Sequence, residues 1–160
     1  MATEAQAEFF KFLYEEQTKR RKNLSERSKF YFTIISFYLG VIYFKFQDVV
    51  KDPVVPPILF WSGIVSAALL TIGLVFTVVG TRVKPYAKPC DLDDYFKGLG
   101  ATPPTDADFF DDRIVDYSAA VSQNSILNQE TARSLRVVGW SIVAAVISQF
   151  LGLILAHFIS

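Results

Sequence analysis

Residues 109–158 read "FFDDRIVDYSAAVSQNSILNQETARSLRVVGWSIVAAVISQFLGLILAHF", and they decide the fold. One stripe of this segment recurs at spacings of four and three residues, and we call it the seam. The seam comprises Phe110, Ile114, Tyr117, Val121, Asn124, Asn128, Thr131, Leu135, Val138, Ile142, Ala145, Gln149, Gly152 and Ala156. An apolar repeat kept over about four heptads is typical of coiled-coil or bundle packing. The sequence therefore predicts a long helix that packs along one edge.

Amides interrupt the middle of the seam at Asn124 and Asn128, and three interpretations remain open. Buried amides can fix the register and oligomeric state of a helical bundle at some cost in stability. Alternatively, the seam faces a hydrated cavity or a ligand, which the two asparagines contact with Gln123 and Gln129. In the third interpretation the helix is rotated by one position, so that Ile126 and Leu127 fill the core.

Three apolar segments are candidate membrane spans, in a chain that is 51% hydrophobic. Residues 58–79 and 137–159 contain no Lys, Arg, Asp or Glu, and both reach the roughly 20 residues needed to cross a bilayer. Residues 30–46 form a shorter run that carries Lys45 near its end, where a long side chain can extend to the interface. We therefore predict three spans.

The distribution of bases predicts the orientation, because cytoplasmic flanks carry an excess of Lys and Arg. Residues 11–29 hold seven bases against three acids, and more bases flank the segment between the second and third spans. The opposite side offers only Lys45 and Lys51, which Asp48 and Asp52 offset. The N-terminus is predicted in the cytoplasm and the C-terminus outside.

The fold class predicted is an all-α membrane protein, with three transmembrane helices and two long cytoplasmic helical stalks continuous with spans one and three. Pro56 and Pro57 suit the start of a helix, and Thr105 or Asp106 suits an N-cap. A short helix is expected near 92–98. The segments are a cytoplasmic stalk (1–29), span one (30–46), an external loop (47–57), span two (58–80), a Pro/Gly-rich cytoplasmic loop (81–105), a heptad stalk (106–136) and span three (137–159).

Small residues and one amide continue the seam into the third span. Ala145 and Gly152 permit close approach of helices, and Gly63, Ala67 and Thr71 form a similar stripe on span two. One interpretation is helix packing with Gln149 as an interhelical hydrogen-bond donor. The other is that Gln149, Ala145 and Gly152 line the central pore of a homo-oligomer.

A collar of bases is predicted on the cytoplasmic side of the membrane. It comprises Lys19, Arg20, Arg21, Lys22, Arg27, Lys29, Arg82, Lys84, Lys88, Arg133 and Arg136. The collar is explained by topology and contact with anionic lipid, or by an anion site for a nucleotide or single-stranded oligonucleotide. In the second case Lys19, Arg20, Arg21, Lys22, Arg27, Asn124, Asn128, Arg133 and Arg136 are the candidate ligand-binding residues.

Several classes of protein are disfavoured. The centres of the spans lack charged residues, which argues against a pump or an ion-coupled transporter. We find no arrangement of nucleophile and base, no phosphate-binding glycine loop and no spacing of metal ligands. Cys90 is the single cysteine, so a disulfide within the chain is excluded. We therefore expect no enzyme activity, no catalytic residue, no metal and no cofactor.

Long cytoplasmic helices that continue into membrane spans resemble the small transmembrane effectors of prokaryotic anti-phage defence. These include SLATT-type effectors and the membrane-channel effectors of Hailong systems. The resemblance is one of architecture over the whole chain, and it assigns no residue by position. It implies an inner-membrane location, a homo-oligomer that permeabilises the membrane, a nucleotide-derived signal and a partner nucleotidyltransferase.

The function predicted is an oligomeric pore or ion channel in the inner membrane, gated by a cytoplasmic nucleotide or oligonucleotide and acting as a defence effector. The alternative is a non-conducting membrane scaffold that binds a partner protein through its helical stalks.

Overall fold

A computed structural model describes residues 3–51, 56–81, 85–98 and 104–159, with the backbone alone at 46–51 and 159. Over these ranges the chain is helical with no strands, as the sequence predicts. The four helices are α1 (Glu4–Lys51), α2 (Pro57–Gly80), α3 (Leu92–Gly98) and α4 (Asp106–Ile159).

Helix α1 joins the predicted N-terminal stalk and the first apolar segment without a break. Its sequence contains no proline, and Gly40 is its single glycine, so nothing in it strongly disfavours helix. The helix continues to Lys51, five residues beyond the predicted end of the first span. The predicted external loop therefore begins later than expected, because the first proline after the apolar segment is Pro53.

The starts of α2 and α4 follow the local sequence signals. Pro57 is the first residue of α2, where its missing N–H costs nothing. Helix α4 begins at Asp106, and the Thr105 hydroxyl oxygen accepts a hydrogen bond from the Asp108 backbone N–H at 3.3 Å. Thr105 is therefore the N-cap, and Asp108 adds a carboxylate in the first turn, where the helix dipole favours it.

The chain forms two compact units, which we describe separately. Unit 1 comprises residues 1–24 and 83–130, and unit 2 comprises residues 25–82 and 131–160. In unit 1 the start of α1 packs on the first half of α4, with the rings of Tyr14 and Tyr117 5.9 Å apart. Helix α3 packs on the beginning of α4, where the Phe96 and Phe109 rings stack.

Unit 2 has an apolar core of four buried residues from three helices. These are Ile35 of α1, Leu70 of α2, and Val138 and Ala145 of α4. The larger apolar side chains of the same helices lie mostly on the outside, including Phe37, Trp61, Trp140 and Phe150, which are 62–70% exposed. This distribution differs from that of a soluble bundle, in which large apolar side chains fill the core.

Two helices are long and apolar enough to cross a membrane. They are α2, with a mean hydropathy of 2.2, and α4, whose most apolar window has a mean hydropathy of 2.1. Only 28% and 22% of these windows are buried, whereas the core helix of a soluble protein is mostly buried. The apolar character predicted for the second and third spans is confirmed. Helix α1 is not among the two, and the first span stays a prediction.

Candidate functional site: the seam of α4 and its basic flanks

The seam is the inward edge of α4 over its whole length. Every seam residue is buried or partly buried, and Asn124, Val138 and Ala145 have no exposed surface. Ile126 is 57% exposed, so the interpretation that rotates α4 by one position is wrong. The residues that cover the seam come from the same chain.

Asn124 binds the backbone of the segment that precedes α3. We call residues 85–91 the strap, because they run in a non-helical conformation against α4. The Asn124 side-chain oxygen accepts a hydrogen bond from the Ala87 N–H at 3.0 Å, and its nitrogen donates to the Ala87 carbonyl at 2.9 Å. One amide therefore satisfies both backbone groups of a residue that lies outside regular structure.

Asn128 joins α4 to α1 by a second pair of hydrogen bonds. Its side-chain nitrogen donates to the backbone carbonyl of Gln17 and to the Gln17 side-chain oxygen, both at 3.0 Å. Only 2% of Asn128 is exposed. These contacts agree with the interpretation that the buried amides fix helix register. A direct contact of Asn124 or Asn128 with a ligand stays a prediction.

A buried arginine that the sequence analysis did not select gives the strap a second anchor. Arg113 donates to the Cys90 carbonyl at 2.6 Å, and its side chain is 9% exposed. The guanidinium also lies 3.7 Å from the Asp116 carboxylate and over the ring of Tyr117. Its position in a run of acids gave no signal that it would be buried.

The ring of Tyr86 packs beneath a predicted ligand-binding base. The Arg21 guanidinium carbon lies 4.3 Å from the ring centroid, within the range of a cation–π contact. The Tyr86 hydroxyl is buried and has no hydrogen-bond partner within the described residues. Arg21 is therefore partly buried in unit 1, and part of its charge is already engaged by this ring.

The other predicted ligand-binding bases are exposed, but they divide between the two units. Lys19, Arg20 and Lys22 lie on α1 in unit 1. Arg27, Arg133 and Arg136 belong to unit 2, as does Lys29. Arg82 and Lys84 lie outside the described residues. The described bases of the predicted collar thus belong to two different units.

Small residues hold α2 against α4 along unit 2. Four pairs are in contact in antiparallel order: Ser62 with Gly152, Ser66 with Ala145, Gly73 with Ser141, and Gly80 with Ser134. A side chain added at Gly152 would overlap Ser62, and one at Gly80 would lie 2.5 Å from the Ser134 side chain. We call this set the small-residue zipper. Close approach through small residues is how helices commonly pack in membranes.

Two of the three predicted pore-lining residues, Ala145 and Gly152, are part of the zipper. Ala145 and Gly152 are buried against α2 within one chain, which is the packing interpretation of the stripe. Gln149 lies between them on the seam and is only partly buried. A place for these residues in a pore stays a prediction about an assembly.

The packed face of α2 differs from the stripe that the sequence suggested. Gly63 is buried, but Thr71 is exposed, and its hydroxyl donates to the Ala67 carbonyl of its own helix at 2.8 Å. The face that meets α4 is formed by Ser62, Ser66, Gly73 and Gly80, rotated by about one residue from the prediction. No zipper serine belongs to the predicted stripes, although Ser134 and Ser141 are seven residues apart, as are Ala145 and Gly152.

Acidic residues and aromatic rings meet where α3 packs on α4. The Tyr95 hydroxyl donates to the Asp112 carboxylate at 3.0 Å. Desolvation by its surroundings, the hydrogen bond to Asp112 and the negative charge of Asp112 and Asp108 together raise the pKa of Tyr95 above its usual value. Over the residues described, no group of three or more His, Cys, Asp or Glu side chains is placed to hold a metal ion.

The chain matches no protein-family model, no curated protein and no solved structure.

Proposed function

We propose that the chain is a three-span inner-membrane protein whose copies assemble into an ion-conducting pore, and that a cytoplasmic nucleotide or oligonucleotide gates it. The role in anti-phage defence rests on the architectural resemblance described above. One observation supports the membrane location above all. The sequences of the three helices of unit 2 change from polar to apolar at the same height in the bundle.

Contacts in unit 2 align these changes. A Cβ atom placed on Gly139 would lie 3.5 Å from the Tyr31 hydroxyl. Tyr31 of α1 and Gly139 of α4 are therefore at the same height along the two helices. Tyr31 and Gly139 each lie within a few residues of the base that precedes the apolar segment of their helix, Lys29 and Arg136. At the same end, Gly80 is the last residue of α2 and lies against Ser134. A shared boundary of this kind is what the surface of a bilayer demands of parallel and antiparallel spans.

The first span is supported by packing rather than by hydropathy. Ile35 is fully buried in the core of unit 2, while Phe37 and Phe44, on other faces of α1, are about 70% exposed. Exposed aromatic side chains are stable in lipid and costly in water. This segment of α1 therefore belongs to the same environment as α2 and α4.

The conducting path is proposed near Gln149. This residue is the one amide in the apolar parts of α2 and α4, and its partial exposure leaves it accessible to a neighbouring copy or to water. The anionic ligand is proposed to bind Lys19, Arg20 and Lys22, which are exposed in unit 1. The two asparagines hold the strap and α1 against α4, so a signal that reaches unit 1 can act on α4 through them.

The single cysteine provides a test of orientation in the unmodified chain. Cys90 is exposed and predicted to face the cytoplasm. A membrane-impermeant maleimide should leave it unlabelled in intact spheroplasts and label it after permeabilisation. The variant that combines Cys90→Ser with Ser160→Cys should show the opposite behaviour. Labelling of Cys90 from outside would contradict the proposed topology.

Planar-bilayer recordings test conduction. The purified protein should pass ions, and Gln149→Leu should change the single-channel current, because it removes the one amide from the proposed path. Ser148→Leu, at the adjacent partly buried position, is the matched control. A protein that remains silent with and without nucleotide would contradict the pore.

Ligand binding is tested separately by absorbance and titration. Purified protein should carry absorbance at 260 nm above that of its aromatic residues, and it should bind single-stranded oligonucleotide more tightly at low salt. The double variant Lys19→Gln, Lys22→Gln should weaken binding and reduce its salt dependence. Lys11→Gln, an exposed base elsewhere on α1, serves as the control.

A non-conducting scaffold is the second candidate. It is favoured by apolar side chains of the α4 stalk that are exposed away from the seam, since Val115 is 64% and Ile126 is 57% exposed. The seam itself is covered by the chain's own residues, because Asn124 and Asn128 bind Ala87 and Gln17. A scaffold would bind a partner protein and would give no current in the bilayer recordings.

A further inference from the structure

Four exposed bases of unit 2 lie in a narrow band at its polar end. They are Arg27 and Lys29 of α1 and Arg133 and Arg136 of α4. The contact between Tyr31 and Gly139 relates the levels of the two helices. At a rise of about 1.5 Å per residue, the four Cα atoms fall about 3 to 9 Å before that contact. The band is therefore about 6 Å deep, close to the thickness of the headgroup region on one side of a bilayer.

The bases of this band lack an ion-pair partner in the part of the chain that the structure describes. Within the described residues, none of the four bases forms an ion pair with a carboxylate. Glu26 is the one acid among the residues between 25 and 29, and none lies between 131 and 138. Four bases with Glu26 as the one acid at the same level leave the band with a net positive charge, which an anion can complement.

The side chains just beyond the band are those of a membrane interface. Trp140 follows Arg136 by one helical turn, so the two lie on the same face of α4. The Trp140 side chain is 69% exposed, and Phe30 beside Lys29 is 62% exposed. A tryptophan one turn deeper than an arginine places an apolar ring beside acyl chains and a cation beside phosphates.

We propose that Arg27, Lys29, Arg133 and Arg136 bind the phosphate groups of anionic phospholipids, which hold unit 2 at a fixed depth. The inference rests on the proposed membrane location. It separates these bases from Lys19, Arg20 and Lys22, which are left for the soluble ligand. Binding of anionic phosphate oxygens is the chemistry that both sources share, so the test must distinguish lipid from free phosphate.

Quenching of Trp140 by brominated lipid reads the occupancy of the site directly. The chain has two tryptophans, so the full chain with Trp61→Phe reports on Trp140 alone. In bilayers of mixed composition, brominated phosphatidylglycerol should quench Trp140 more strongly than brominated phosphatidylcholine at equal fraction. Arg133→Gln with Arg136→Gln should lower the affinity for phosphatidylglycerol relative to phosphatidylcholine, as derived from the quenching, by about fivefold for each base removed.

Two further variants separate charge from structural damage. Arg133→Lys with Arg136→Lys should keep the preference, because a phosphate accepts hydrogen bonds from either cation. Arg20→Gln with Lys22→Gln should leave it unchanged, since these exposed bases belong to unit 1. Inorganic phosphate at millimolar concentration should not displace the lipid.

Equal quenching by the two lipids in the parent protein would overturn the lipid site while leaving the membrane location intact. Displacement by inorganic phosphate would assign the bases to a soluble anion and would likewise overturn it. Absence of quenching by either lipid would contradict the membrane location itself, and the inference with it.

Discussion

The Ser66 hydroxyl of α2 donates a hydrogen bond to the backbone carbonyl of Ala145 on α4, at 2.9 Å and fully buried. This bond lies within the small-residue zipper, where the two helices are close enough for a serine to reach a main-chain oxygen of its neighbour. In unit 2, small hydroxyl side chains are buried, including those of Ser62, Ser66, Thr77 and Ser141, while large apolar side chains such as Trp61 and Trp140 are exposed.

Replacing Ser66 by alanine tests this bond with little change in volume. The apparent free energy of unfolding should fall by about 0.6 kcal/mol and by no more than about 2 kcal/mol, as for other interhelical hydrogen bonds in membranes. Thr71→Ala is the matched control, because Thr71 is exposed and its hydroxyl binds its own helix. Unfolding in mixed detergent micelles measures both. Equal losses in the two variants would mean that the bond across the helices contributes nothing.

A larger residue within the zipper should be more harmful. Gly152→Val places a branched side chain where Ser62 already lies, so the helices must separate at a cost of about 1–3 kcal/mol. Gly40→Val provides the comparison, since a side chain there meets nothing within 4 Å. Melting temperatures in detergent should fall for the first variant and change little for the second. A Gly152→Val protein as stable as the parent would contradict the close contact of α2 and α4.

The periodicity of the sequence was sufficient to identify the inward edge of α4. Every residue of the seam is buried or partly buried, from Phe110 to Ala156, and the helix starts follow Pro57 and Thr105 as predicted. Periodicity identifies which face of a helix is covered. It does not identify what covers that face, and here the cover is α1, α2 and the strap of the same chain.

The contacts that the sequence did not predict depend on chain segments distant from one another. Asn124 binds Ala87 at a separation of 37 residues, and Asn128 binds Gln17 at 111 residues. A non-helical strap provides no periodic signal, so neither Ala87 nor the buried Arg113 stood out. The bases of the predicted collar are also divided between the two units, because the boundary between the units falls between Lys22 and Arg27 on α1. The sequence gives no signal of this boundary.

The strap provides the third prediction. Asn124→Ala removes the partner of both backbone groups of Ala87, and leaving them unsatisfied should cost about 1–3 kcal/mol. Gln123→Ala is the control at the adjacent exposed position. Hydrogen exchange should show faster exchange at the Ala87 amide in Asn124→Ala only. An Ala87 amide that stays protected in this variant would mean that Asn124 is not what holds the strap.

The fourth prediction concerns Tyr95, whose raised pKa links the packing of α3 to pH. Desolvation and the neighbouring carboxylates of Asp112 and Asp108 favour the neutral phenol in the folded chain. Because folding raises the pKa of Tyr95, the phenol contributes to the free energy of unfolding. This contribution is fully present at pH values below the pKa of the unfolded chain, about 10, and it is lost as the pH rises through the pKa of the folded chain. Absorbance at 295 nm should therefore show a tyrosine that ionises later in the folded chain than in the denatured one.

Two variants identify the residue responsible. Tyr95→Phe keeps the aromatic contacts with Phe96 and Phe109 and should remove the late-ionising component. Asp112→Asn removes a negative charge beside the phenol, so it should move the pKa of Tyr95 down towards its usual value while desolvation keeps part of the shift. The loss of stability above pH 10 should become smaller in Tyr95→Phe, because the folded chain then no longer contains a phenol that must ionise beside two carboxylates. A late component that persists in Tyr95→Phe would assign the shift to another tyrosine.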